Sequence, residues 1–310
     1  MNHFSILLAA LATEAVFGYP QFIYRFIKHP VVWMGAVIVA LDKNCNQPNW
    51  KDVSRKAAGA VSMLVLISIV IVVCLVIQHF GNWLVEMLCV ATLLATRSLY
   101  DHVRAVYLPL MQNNLPEKLP EARENLAKIV GRDTENLDAD EIAKAAIESL
   151  AESFSDGVVA PLFWAACLGL PAIAAYKAIN TADSMIGHKT EKYRDFGWAA
   201  ARLDDCANFI PARLSALIIA LAALSLNSLK SAWRDGRKHA SPNSGYPEAA
   251  MAGALGVALG GKRSYDGIIH SSPIIGAEYQ KEITAADLKR AMRVYISACA
   301  IIFLVLLYLL

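Results

Sequence analysis

Between Ala57 and Ile77 the chain carries no charged residue, and about 20 residues of helix suffice to cross the hydrocarbon core of a bilayer. That one stretch commits the chain to a membrane. Composition agrees: 310 residues, 56% hydrophobic, 18% charged, mean hydropathy +0.40, too apolar for an ordinary soluble domain. Val294 to Leu310 is a second candidate span. Phe4 to Phe17, whose one acid is Glu14, and Trp83 to Thr96, with Glu86, are the third and fourth. Met1, Asn2 and His3 supply no strongly basic leader, so the first segment is expected to be a retained anchor rather than a cleaved signal. The expected fold is all-α and polytopic, with about four spanning helices, further re-entrant or buried apolar helices, and cytoplasmic helical loops.

Lys51, Arg55 and Lys56 precede the first long span, Arg97 and Arg104 follow Thr96, and Lys289, Arg290 and Arg293 precede Val294. The excess of Lys and Arg on cytoplasmic loops places these ends inside the cell. Val158 to Tyr176, interrupted by Pro161, Gly169 and Pro171, and the short Leu214 to Leu226 each lie between basic loops. Both are expected to be re-entrant or protein-buried. No repeat or low-complexity linker divides the chain, which reads as a single domain, 1–310, with a polar helical insertion at about 97–157 and site loops at about 177–213 and 239–276.

Several function classes drop out. The six cysteines form no CxxC pair and several lie in apolar runs, which suits buried thiols rather than a disulfide frame. None of the seven histidines is paired four apart, so an HExxH zinc site has no support. Net charge is +2 without a basic patch interleaved with aromatics, so no nucleic-acid partner is expected.

What remains is oxygen chemistry. Asn180, Asp183 and Ser184 stand three and four residues apart, and Asp204 and Asn208 four apart, so in helices each set shares a face. Such ligands suit magnesium, a hard cation that usually shares its shell with water and substrate phosphates. Lys177, Lys189, Lys192, Arg194, Arg202 and Arg213 lie in the same stretch and suit a phosphorylated ligand. Asp138 with Glu141 forms a capping-box start, and the helix behind it carries Glu148, Glu152 and Asp156 at four-residue steps. That stripe reads equally as a cation-facing row or a solvated face. Ser241 to Glu248 is a turn-rich loop opening a helix, a place to receive phosphate, with Asn243 and Glu248 as its candidate ligands. Gly256 to Lys262 nearly spells a P-loop, but Arg263 replaces the metal-binding hydroxyl and no strand is expected before it. Gly253, Gly256 and Gly260 suit close helix packing, self-association included. Thr284 with Asp287 caps a last helix leading into the final span.

Taken in order, these segments resemble the cobalamin-biosynthesis membrane protein family CbiB/CobD, adenosylcobinamide-phosphate synthase, through nearly the whole chain. The motifs are His29, Pro30, Val31 with Gly35; Arg97, Ser98, Leu99 with His102; Gly131, Arg132, Asp133, Thr134; and Glu148, Ser149, Ala151, Glu152 with Asp156, Gly157, Val158, Ala160, Pro161, Leu162, Phe163. Then follow Tyr176, Lys177, Ala178, Asn180, Thr181, Asp183, Ser184, Met185; Phe196, Gly197, Ala201, Arg202, Leu203, Asp204, Asp205, Asn208, Pro211, Ala212, Arg213, Leu214; and Ser241, Pro242, Asn243, Gly245, Pro247, Glu248, Ala249. One departure is Tyr19, standing between Gly18 and Pro20 where the family pattern leads one to expect an acid.

The resemblance implies an ATP-dependent amide ligase in the cell (inner) membrane, joining aminopropanol or its phosphate to the free propionate carboxyl of adenosylcobyric acid. Magnesium and ATP are the implied ion and co-substrate. Asp183, Asp204 and Asn208, with Asp205 beside them, are the candidates for positioning magnesium. Lys177, Asn180, Arg202 and Arg213 are the candidates for phosphate or substrate. Glu148, Glu152 and Asp156 are candidates for taking the amine proton or holding a second ion. Partners implied are the corrinoid, the amine phosphate, the lipid bilayer, and other corrinoid-pathway enzymes or a second copy. Two other readings stand beside it: a magnesium-dependent phospho- or prenyltransferase-like membrane enzyme, and a non-enzymatic corrinoid transporter subunit or membrane sensor.

Overall fold

The computed structural model describes residues 2–265, 267–279 and 281–310. Its helices run α1 (His3–Phe17), α2 (Gln21–Phe26), α3 (Pro30–Cys45), α4 (Asp52–Phe80), α5 (Trp83–Leu93), α6 (Thr96–Leu110), α7 (Leu115–Ala127) and α8 (Ala139–Phe154). A π-helical turn, Ser155–Val159, leads into α9 (Ala160–Leu168), α10 (Leu170–Ile186), α11 (Trp198–Ala207), α12 (Phe209–Ala222), α13 (Leu226–Asp235) and α14 (Gly245–Leu255). A hairpin of β1 (Leu259–Tyr265) and β2 (Ile268–Ile275) precedes α15 (Ala285–Tyr308). The fold is that of an all-α polytopic membrane protein, with one hairpin that helical patterning did not anticipate.

Among the described residues, four stretches are long and apolar enough to cross a membrane: Tyr24–Cys45, Asp52–Phe80, Trp83–Leu110 and Ala285–Tyr308. The first of these differs from expectation. Phe4–Phe17 falls within α1, whose 15 residues are short of the roughly 20 needed. Tyr24–Cys45 reaches the required length, although Arg25, Lys28 and Lys43 interrupt its apolar pattern.

The chain divides into two compact units. One comprises Met1–Ala95, Ala160–Asn208 and Leu306–Leu310. In it α4 buries Met63, Leu66 and Cys74 while Val61, Leu64, Ile69, Val72 and Val76 stay exposed, a stripe that lipid would cover. α10 packs along α4: Leu170 and Ala174 share a cavity with Cys74 and Ile77, whereas Gly187 shares one with Lys56. The two helices therefore run antiparallel. Two glycines set the approach of the connecting segment. A Cβ on Gly59 would stand 1.9 Å from the Phe196 carbonyl oxygen, and one on Gly197 would stand 1.6 Å from that of Ile186. Lys192 and Arg194 of this segment pair with Asp42 at 2.7 Å and with Asp52 at 3.9 Å.

The other unit comprises Thr96–Val159 and Phe209–Val305. Its α8 begins with the expected capping box of Asp138 and Glu141, and Thr284 with Asp287 closes the start of α15 as foreseen. α7 stops at Ala127, ahead of Gly131. The segment after it turns back on the hairpin: Asp133 Oδ2 accepts from the Ser264 hydroxyl at 2.6 Å and the Gly267 N–H at 2.9 Å. Gly253 does pack closely on α13, where a Cβ would stand 2.5 Å from the Asn227 carbonyl. Gly256 and Gly260 do not extend a helix face. Gly256, at φ +67, ends α14, and Gly260, at φ +80, sits in β1 where a Cβ would stand 2.3 Å from the Pro273 carbonyl. Gly256 to Lys262 thus runs from helix into strand, the reverse of the strand–loop–helix order of a P-loop.

Candidate active site

The expected site loops are largely helical, and each unit gathers its own polar cluster. The first cluster lies on α10 and α11. Lys177, Asn180 and Asp183 follow one another along α10, while Arg202, Asp204 and Asp205 belong to α11 and Asn208 ends it. Asn180 and Asn208 donate amide N–H groups to the two oxygens of Asp204, at 3.2 and 3.0 Å, and the Tyr176 hydroxyl donates to Asn208 Oδ1 at 2.9 Å. The network holds the Asp204 carboxylate in one orientation. Asp205 pairs with Arg202 at 3.1 Å. Asp183 Oδ1 lies where a Cβ on Gly187 would be, 2.0 Å away. Below the network, Trp164, Leu168, Tyr176, Ile179 and Ile71 line an apolar cavity of about 450 Å3. Ile71 lies some 28 Å along α4 at 1.5 Å per residue, so these polar groups stand beside an apolar span rather than in a solvated loop.

Asn208 turns its nitrogen to Asp204 and its oxygen to Tyr176, which makes it a brace for the carboxylate in this geometry. Among the described residues no three His, Cys, Asp or Glu side chains come together as a cage. The donor set fits a magnesium ion that shares its shell with substrate oxygens.

The second cluster surrounds Glu148, 2% exposed on α8. Its carboxylate accepts from Arg132, from the Gly260 N–H at 2.6 Å, and lies 3.2 Å from Arg263 Nη2. Burial acts to raise the Glu148 pKa, but Arg132, Arg263 and the Gly260 amide outweigh it and hold the carboxyl below its ordinary range. Glu248 is the opposite case. Wholly buried on α14, it stands near both Arg263, at 3.8 Å, and His239, at 3.7 Å. Burial first, then the charges of Glu148 and Glu152, push its pKa well above the ordinary value. Desolvation likewise lowers the pKa of His239. Glu248 Oε2, Arg263 Nε and Arg263 Nη2 are buried without a hydrogen bond. Orphaned buried polar atoms are rare and costly, and here donors and an acceptor are orphaned side by side.

At the outer end of this cluster, the exposed Glu152 accepts the Ser244 hydroxyl at 2.8 Å. Asp156 falls in the π-helical turn, so the regular α-helical stripe of acids is not continued past Phe154. Asn243 accepts from Arg213 at 2.8 Å, and the Arg213 guanidinium lies over the Phe209 and Tyr246 rings at 3.9 and 4.1 Å. Three members were not singled out from sequence as site residues: Arg132, Arg263 and His239. Arg132 had a signal, its place in the Gly131–Thr134 motif. Arg263 was visible only as a misfit in a glycine pattern, and nothing marked His239.

Since Glu248 carries a raised pKa in the folded protein, its contribution to stability is fully present below the unfolded carboxyl value and is lost as pH rises through the folded one. The slope is up to about 1.4 kcal/mol per pH unit. Glu248→Gln keeps the neutral shape and is expected to flatten that loss in thermal unfolding measured against pH. An unchanged fall of stability with rising pH would remove Glu248 as its source.

Fold and clusters together define a polytopic helical membrane protein with charged groups buried against its apolar helices. Residues 7–295 match the family model described as CobD/Cbib protein. The chain is 44% identical over 306 residues to cobalamin biosynthesis protein CobD of Rhodobacter capsulatus, covering 97% of this chain and 95% of the relative. Cobalamin biosynthesis protein CobD of Rhizobium meliloti is 43% identical (96% and 93% covered), and that of Brucella suis 41% (96% and 93%). The chain belongs to the CobD/CbiB family. No solved structure matches it significantly.

Proposed function

We propose that the chain is an enzyme of cobalamin biosynthesis that joins aminopropanol or its phosphate to the free propionate carboxyl of adenosylcobyric acid at the expense of ATP. The observation that carries the reading is the family match over nearly the whole chain, reinforced by relatives of nearly equal length named for cobalamin biosynthesis. The buried orphan donors and acceptor of the second cluster support a site that a polar substrate completes. A carboxylate is a poor electrophile. It becomes reactive once its oxygen is phosphorylated, after which the amine displaces phosphate and loses one proton.

In this reading Asp183 and Asp204 would share a magnesium ion with water and substrate oxygens, Asn208 and Asn180 keep the Asp204 carboxylate aimed, Asp205 steadies Arg202, and Lys177 and Arg202 would receive phosphate. Magnesium there would offset the charge of the transferring phosphoryl group. Glu152 and Asp156 would accept the amine proton. Glu148 serves Arg132 and Arg263 as their buried counter-ion. The protein sits in the cell membrane with the basic ends of its spans in the cytoplasm, where ATP is available.

Membranes containing the full chain, incubated with adenosylcobyric acid, aminopropanol phosphate, ATP and magnesium, are expected to yield the amide, read by mass spectrometry. A strain lacking the gene should be rescued by cobinamide and not by cobyric acid. Absence of the amide, or a lipid product in its place, overturns the proposal.

A further inference from the structure

A cavity of about 250 Å3 opens where the segment after α10 meets the first turns of α4, and its lining includes Lys56, Lys189, Arg194 and Arg202. Against these four cations it holds one acid, Asp195. Asp195 is 3% exposed and lies 3.4 Å from Lys56 and 3.6 Å from Arg194. Its Oδ2 is buried with no hydrogen bond, so it positions the two cations by charge rather than by occupying their donors. Asp52 and Asp205 touch Arg194 and Arg202 from outside the lining and Asp183 lies against Gly187, so the excess of cations belongs to the lining itself. Two further features face the same space. The start of α11 lines it with Trp198 and Ala201, whose backbone N–H groups are given to the Asp195 and Gly197 carbonyls, so α11 adds the positive end of its dipole rather than free amides. Lys56 lies in the second turn of α4, at the water-facing end of a span, and the exposed Trp198 stands beside it, the residue types that mark a membrane interface.

The geometry points to a binding pocket for a phosphate group at the membrane interface, built by Lys56, Lys189, Arg194, Arg202 and the first turn of α11. The guanidinium groups offer paired donors to phosphate oxygens, and the ammonium groups add charge. Such a group comes either from a soluble phosphate compound or from the headgroup of an anionic lipid. The pocket shares Arg202 with the phosphate-receiving groups of the amide-forming reading, but it is tested by binding without turnover and through Lys189, which that reading does not use, so either can fail alone.

The full chain in phosphatidylcholine nanodiscs is titrated with inorganic pyrophosphate by calorimetry. In parallel, protein taken from bilayers containing phosphatidylglycerol is weighed by native mass spectrometry for retained lipid. Saturable binding of pyrophosphate identifies a soluble source, and retained phosphatidylglycerol alone identifies the headgroup; each supports the pocket. Lys189→Gln, an exposed residue of the lining, is expected to weaken the binding about tenfold through loss of a charge-assisted contact. Lys51→Gln removes a cation from the same end of α4 outside the lining and is expected to leave it unchanged. Equal losses in both variants, or no saturable binding of either probe, would overturn the proposal.

Discussion

Glu148→Ala is expected to destabilise the protein by about 3–5 kcal/mol, the cost of removing one partner from a buried ion pair. The reason is what it leaves behind. Arg132 and Arg263 keep only 10% and 13% side-chain exposure, and the Gly260 N–H loses its acceptor. Glu248 does not replace the lost charge, since burial holds it toward its neutral form. Adding Arg263→Met should recover part of the loss, because one stranded cation then disappears as well. Unfolding of the purified protein in detergent, followed for the three variants, reads the effect. An unaltered stability in Glu148→Ala would mean the two arginines have another counter-ion.

The second large effect is on rate. Replacing Asp204 and Asp205 by asparagine is expected to lower amide formation at least about 100-fold, the scale of losing a positioned electrostatic stabiliser. The protein should stay folded. Both side chains are only half-buried, and an asparagine at 204 retains an oxygen for one of the two amide donors that now reach it from Asn180 and Asn208. The two experiments separate the clusters: one variant fails by unfolding, the other by losing turnover with its stability near that of the parent. Full activity in the asparagine variant would refute the metal assignment.

Much of the local structure was legible in advance. The span at α4 follows from charge-free length, the starts of α8 and α15 from capping pairs, and the break at Gly169 from glycine and proline at one point of an apolar run. The span at Tyr24–Cys45 was not, because scattered cations hide its apolar face. The hairpin was missed for a different reason. After Leu259, β1 carries two glycines followed by Lys262 and Arg263, so it has no alternation of polar and apolar residues, and its stability comes from pairing with β2 and from the clasp of Asp133.

The sites divide the same way. Helical spacing alone put Asp204 and Asn208 on one face, and their hydrogen bond at 3.0 Å is local to one turn. The link from Gly260 to Glu148 joins positions 112 apart, and no periodicity carries that information. Helices, caps and spans depend on neighbours within a few residues, so they could be read, together with the family, from local pattern. Which acid is ionised and which is neutral depends on burial and on charges delivered by distant segments. It took the packed fold to show that Glu148 keeps its charge between two arginines while Glu248, on the other side of Arg263, is pressed toward its protonated form.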